Sequence, residues 1–265
     1  MVETLPVHIV HIVEHPEKVP CPPGIATHHQ ETRGVERNIS AAVLGIDEIT
    51  FGAQDLARCR QFFLDWGLAL VDETPLRLVY ESLNGCRVIV AHSDTPGLPA
   101  GIEADPTLRE VVWGVANASD MAHYSAAMQQ WPSFVQESDR VGCTDPSGLA
   151  IRVQISRKKD IALDCAQVNT WAERSRVDQA SPAYERARPI EVGHVVLFVK
   201  SLDAVTQFYQ DVFGFVISDR YPGRGRRLAS ATAPIPDAVR STGRAGRHAG
   251  QRNADRAQGG LPGRV

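Results

Sequence analysis

Nine histidines and five cysteines are the residues of this 265-residue chain best suited to metal or nucleophilic chemistry. His8, His11 and His15 stand three and four residues apart, a spacing that gathers imidazoles around a metal when it lies on a helix. Ile9-Val10 and Ile12-Val13 favour extended backbone instead, which sends those side chains apart, and Pro16 closes the stretch. His28-His29 lies in a segment flanked by proline and glycine, while His92 and His123 carry no motif and read as surface residues. Cys21, Cys59, Cys86, Cys143 and Cys165 include no C-x-x-C pair, so they suggest neither a zinc knuckle nor a disulfide framework. Reduced thiols in a cytoplasmic protein are the expectation. His194 opens the stretch His-Val-Val-Leu, and taken alone it is a histidine at a strand start.

Composition narrows the partners. A formal charge of −3 gives no general electrostatic reason to expect nucleic acid or an acidic membrane. No apolar run approaches the roughly 20 residues that span a bilayer, and the apolar stretch Leu5 to Val13 is interrupted by His8 and His11. The 43% hydrophobic and 22% charged content is that of an ordinary globular chain.

The elements that must position any site come from an internal repeat. Residues 47–68 read DEITFGAQDLARCRQFFLDWGL and residues 193–215 read GHVVLFVKSLDAVTQFYQDVFGF. In each, a β-branched stretch leads through a polar turn to an amphipathic segment ending at glycine. Leu56, Cys59, Phe62, Phe63 and Trp66 share their spacing with Leu202, Val205, Phe208, Tyr209 and Val212, which places each set on one helix face. Both aromatic pairs are expected in the core. Gly67 and Gly214 sit where a left-handed helix cap belongs. A weaker copy starts near Arg109, with Val111 to Val115 as its strand and Met121, Tyr124, Met128 and Trp131 along its helix. Asn84-Gly85 marks a hairpin between Leu78–Tyr80 and Cys86–Val90. Asp145-Pro146-Ser147-Gly148 marks a turn between Val141–Cys143 and Ile151–Ile155.

The strand-plus-helix starts and the D-P-S-G turn before Ile151-Arg152-Val153 resemble the vicinal-oxygen-chelate superfamily of glyoxalases, bleomycin-resistance proteins and extradiol dioxygenases. The resemblance covers a little over half of the chain. It implies an α+β fold of tandem βαβββ modules whose open, curled sheets surround a metal. Residues 46–155 would be one complete domain and residues 189–225 the start of a second. Residues 1–45 would form an extended arm, and 156–188 a linker in which Trp171 packs on a domain surface.

Tandem domains so joined are similar to the type I extradiol dioxygenases, in which the first domain is metal-free and the second catalytic. There a histidine on the first strand of the second domain binds Fe(II), or Mn(II) in some members, and His194 matches that position. The other ligands, a histidine and a glutamate, come from a fourth module, as do the acid–base groups. The reaction implied is ring cleavage of a small catechol-like aromatic with incorporation of dioxygen. Aligning the aromatic pairs puts Glu48 opposite His194 as a partly exposed strand residue. Arg152 stands where metal-binding members carry glutamate, so the resemblance implies a first domain without metal.

After Gly225 the sequence departs from that pattern. Residues 226–265 hold 8 Arg, 8 Ala and 6 Gly, no aromatic residue, and only Asp237 and Asp255 as acids. Such a segment is expected to be disordered. Its composition is that of a GC-rich gene read out of frame, which places a frameshift near residues 225–227. With two ligands missing, the chain is expected to be inactive as written. The alternative is a non-catalytic domain that binds a small molecule or forms a homo-dimer through its exposed strand edges.

Overall fold

The computed structural model describes residues 9–14, 43–161, 186, 188–222 and 225–230, and for residues 9–14 it describes the backbone alone. Those six form β1 (Ile9–Glu14). Two complete βαβββ modules follow. The first consists of β2 (Val43–Ala53), α1 (Leu56–Asp65), β3 (Ala69–Thr74), β4 (Arg77–Glu81) and β5 (Arg87–His92). The second consists of β6 (Thr107–Val115), α2 (Ala118–Met128), β7 (Val135–Gln136), β8 (Arg140–Thr144) and β9 (Ala150–Ile155). A third module begins with β10 (His194–Val199), α3 (Leu202–Phe213), β11 (Val216–Tyr221) and β12 (Gly225–Ala229).

The first two modules share an eight-stranded sheet in the order β3-β4-β5-β2-β6-β9-β8-β7. Its centre is the antiparallel pair of β2 and β6, with Ile49 opposite Val111. The third module builds a separate four-stranded sheet in the order β10-β1-β12-β11.

Local chemistry explains where elements start and stop. Asp55, Asn117 and Ser201 cap the three helices, each side chain accepting from the backbone N–H three residues on. Gly214 ends α3 at φ 64°, a left-handed conformation open to glycine. The D-P-S-G turn is held by Asp145, whose Oδ1 accepts from the Ser147 N–H, the Ser147 hydroxyl and the Leu149 N–H at 2.6–3.0 Å.

The turn between β4 and β5 also clasps the linker. Leu83 N–H donates to the Pro189 carbonyl and Asn84 N–H to that of Ile190, at 3.0 and 3.1 Å. Lys159 N–H donates to the Asn84 carbonyl at 2.8 Å. Both ends of the linker are therefore fastened beside one residue.

Because side chains alternate along a strand, one face of the large sheet is apolar. Ile49, Val111, Ile151 and Cys143 share a register row there, and all are buried. α3 packs on this side of the second module. Phe213 and Phe215 lie 5.9 and 5.4 Å from Trp113, and Phe208 meets Trp131 edge-on at 4.7 Å.

Three expectations change. Phe208 and Tyr209 of α3 are fully buried, but α1 buries no residue and Phe62 and Trp66 are more than half exposed. The reason is packing: α3 rests against α2, whereas no helix among the described residues covers α1. Residues 226–229 belong to β12, with Leu228 and Ala229 buried, so the break in composition at Gly225 is not a break in structure. Part of the N-terminal arm, residues 9–14, is an inner strand of a sheet. His8, His15, His28, His29, Cys21, Cys165, Trp171 and residues 231–265 lie outside the described residues.

Candidate functional site

The polar face of the large sheet carries a lattice of ion pairs. Glu48 and Glu110 each stand seven residues before a helix cap, Asp55 and Asn117, so they are equivalent positions of the two modules. Arg140, on β8, donates to both Glu48 oxygens at 3.0 and 3.3 Å and lies 3.9 Å from Glu110. Arg152, on β9, lies 3.5 Å from the other Glu110 oxygen. Burial pushes the Glu110 carboxyl above the usual carboxylate range, the two arginines pull it back, and Glu48 pushes it up again. Two guanidinium groups thus balance two carboxylates in a space that is largely closed to water. A cation bound here would have to displace both.

Glu48 is only 4% exposed, a correction to its reading as a partly exposed strand residue; Arg140 reaches it from across the sheet and makes its burial tolerable. Glu110 and Arg140 were not singled out from the sequence. Counting seven residues back from each helix cap would have found Glu110. No local signal marks Arg140, because its partner is 92 residues away.

His194 also stands seven residues before its cap, Ser201, so it is the third module's counterpart of Glu48 and Glu110. Val195, Leu197 and Val199 turn inward beneath α3, which leaves His194 on the other face with Val196 and Phe198. His194 lines an open cavity of about 960 Å³ bordered chiefly by α1, strands β2 and β5, and residues 189–194. Ile49, Phe51, Phe62, Phe63 and Trp66 give this cavity an apolar, aromatic wall, while Asp55, Arg58 and Glu191 add charge. Phe63 packs on Tyr80 at 5.2 Å, and burial pushes the Tyr80 hydroxyl up to about 12, so Tyr80 stays neutral.

A metal centre needs convergent donors. Among the described residues, no three His, Cys, Asp or Glu side chains gather around a common point. Glu48 and Glu110 are committed to arginines. The described residues therefore do not fit the two-histidine, one-carboxylate face that holds Fe(II) or Mn(II). His92 accepts the Asp94 N–H through Nδ1 at 3.3 Å, and His123 lies edge-on to Tyr124 at 5.4 Å. Burial pushes the Cys86 and Cys143 thiols up to about 11 and about 12, which keeps them protonated and poorly nucleophilic.

Comparison with known proteins agrees with this architecture. Residues 191–249 match the Glyoxalase/Bleomycin resistance protein/Dioxygenase superfamily, a span that continues past Gly225. No curated protein matches the chain. Among solved structures, BphC, a halotolerant catechol dioxygenase, is similar with a TM-score of 0.50 and 14% identity, over 71% of this chain and 61% of that one. The 2,3-dioxygenase LapB from Pseudomonas sp. KL28 gives 0.46 and 18%, over 68% and 64%. The Mn(II)-bound glyoxalase from Novosphingobium aromaticivorans gives 0.45 and 18%, over 68% and 55%. The chain therefore spans 55–64% of the length of these three structures. The chain resembles the vicinal-oxygen-chelate superfamily, and its two complete βαβββ modules and the start of a third are the kind of fold expected from that resemblance.

Proposed function

We propose that this chain binds a small, ring-bearing apolar molecule in the cavity beneath α1 and does not turn it over by metal chemistry. The observation that carries the reading is the 960 Å³ space itself, walled by Phe62, Phe63 and Trp66 and edged by Arg58 and His194. A concave apolar surface with a few convergent polar groups is the usual form of a small-molecule site. The aromatic wall suits stacking against a ring. Arg58 and His194 suit a hydroxyl or acid group on its edge. The ion-paired polar face of the large sheet supports the second half of the proposal, since its carboxylates are already engaged.

The test is a titration with 8-anilino-1-naphthalenesulfonate followed by fluorescence, then displacement by catechol. One saturable site is expected, weakened at least tenfold by the pair Phe62→Ala and Trp66→Ala. Non-saturable binding, or binding indifferent to that pair, sinks the assignment.

His194 favours a second reading, in which the chain derives from an extradiol dioxygenase that cleaved a catechol-like ring with Fe(II) or Mn(II). Anaerobic reconstitution with either metal, elemental analysis and a catechol assay separate the two. Stoichiometric metal and a coloured ring-cleavage product would replace the first reading with the second. No helix among the described residues is long and apolar enough to cross a membrane. A second copy of the chain pairing along a free strand edge is a further proposal, tested by light scattering.

A further inference from the structure

The last strand of a module has a fixed place. In the first module β5 runs parallel to β2 over six pairs, beginning with Arg87 opposite Glu48. It also runs antiparallel to β4 over five pairs, beginning with Glu81 opposite Arg87. In the second module β9 does the same: six parallel pairs with β6 from Ala150 opposite Glu110, and five antiparallel pairs with β8 from Thr144 opposite Ala150.

In the third module the strand with that pairing is β1. It makes six parallel pairs with β10 from Ile9 opposite His194, and five antiparallel pairs with β12 from Ala229 opposite Ile9. Glu48, Glu110 and His194 are the equivalent positions seven residues before a helix cap. The three registers therefore coincide residue for residue, although β5 and β9 follow their own modules and β1 precedes its module by about 180 residues of chain.

We propose that residues 9–14 are the last strand of the third module, supplied from the opposite end of the chain. The space between β10 and β12 is then an acceptor groove for an extended, β-branched segment.

The sequence sets the two candidate segments apart in their aptness for that place. Residues 82–86 join β4 to β5, and residues 145–149 join β8 to β9. A connection of that length after Ala229 would start the module's own strand at residue 235. Residues 235–240 read Ile-Pro-Asp-Ala-Val-Arg. A strand flanked on both sides needs its backbone N–H groups, and Pro236 has none. Asp237 is a poor strand former as well. Residues 9–14 read Ile-Val-His-Ile-Val-Glu, in which Ile9, Val10, Ile12 and Val13 are β-branched and no residue is proline or glycine. Without a strand in the groove, β10 and β12 would stand about 9–10 Å apart with facing edges unsatisfied.

Cross-linking in the full chain tests this. His11→Cys with Arg227→Cys joins a register pair, whereas His11→Cys with Ala229→Cys joins a diagonal pair on the same face. Diagonal Cα atoms lie about 7–8 Å apart, too far for an unstrained disulfide. After mild oxidation and peptide mapping, the 11–227 link is expected to form at least tenfold faster than the 11–229 link. Equal rates, or no 11–227 link, would overturn the proposal. Hydrogen exchange on the Ile12→Pro chain gives a second measurement that needs no added cysteine. Protection of residues 195–199 and 226–229 is expected to fall at least tenfold while that of residues 108–115 is unchanged. Unchanged protection in β10 and β12 would show that another segment fills the groove.

Discussion

Arg140→Met removes the cation that Glu48 and Glu110 share, leaving one buried carboxylate without its bidentate partner. The Arg140 and Glu48 side chains are 18% and 5% exposed, so solvent screens little of the loss. Breaking a buried pair by deleting one member costs about 3–5 kcal/mol. The partial access at Arg140 places the expected cost near the lower end, about 3 kcal/mol, or a fall in melting temperature of about 6–12 °C. The cost should depend on pH in a stated direction. The Glu110 carboxyl is already raised by burial, so its ionised form opposes folding above its folded-state pKa. That opposition fades as pH falls through that value. Removing Arg140 takes away one of the charges that pull Glu110 down and so raises it further, which makes the deficit larger at pH 8 than at pH 5. Urea unfolding followed by the fluorescence of the fully buried Trp113 measures it at both pH values. The double variant Glu48→Leu with Arg140→Met should recover most of the loss, because two matched apolar groups replace a matched pair of charges. A single variant within about 0.5 kcal/mol of the parent, or a deficit that grows on acidification, would refute the reasoning.

Other perturbations have clear expected outcomes. Trp113→Ala empties the junction where Phe213 and Phe215 meet the second module and should cost about 3–5 kcal/mol in urea unfolding, with loss of near-ultraviolet circular dichroism. Gly142→Ala should destabilise by about 1–3 kcal/mol, since its new Cβ would lie 2.4 Å from the Ile151 carbonyl oxygen and 2.3 Å from Arg152 Cδ. Iodoacetamide at pH 8 should leave Cys86 and Cys143 unlabelled in the folded chain, their thiols standing at about 11 and about 12, and label both in urea; labelling at the rate of a free thiol would contradict this.

The repeating unit was legible because its determinants are local. Aromatic spacing located α1 and α3, Asn84-Gly85 located the β4–β5 turn, and Asp145 to Gly148 located the turn before β9. The fate of α1 was not legible. Its apolar stripe is as regular as that of α3, yet burial depends on whether another helix arrives to cover it. Nor was the membership of residues 9–14 in the third module's sheet, because parallel pairing with residues 194–199 leaves no local trace. At the site, Arg152 was singled out from sequence as standing where metal-binding members carry glutamate, and the structure pairs it with Glu110. Its partner Glu110, and Arg140 beside them, became visible only when the strands were laid side by side. His194 was placed from sequence as a strand-start histidine with a family position. The aromatic cavity it borders depends on the exposure of Phe62 and Trp66, which the stripe pattern argued against.

The clasp at Asn84 has a consequence for how this chain tolerates change. Polypeptide leaves the large sheet's two modules at Lys159 and is received again at Pro189 and Ile190, with both points fastened beside the same turn. Whatever is spliced between them begins and ends at one anchored doorway. A change at Asn84 or in its turn would therefore loosen the exit and the return of the chain together, and with them the start of β10.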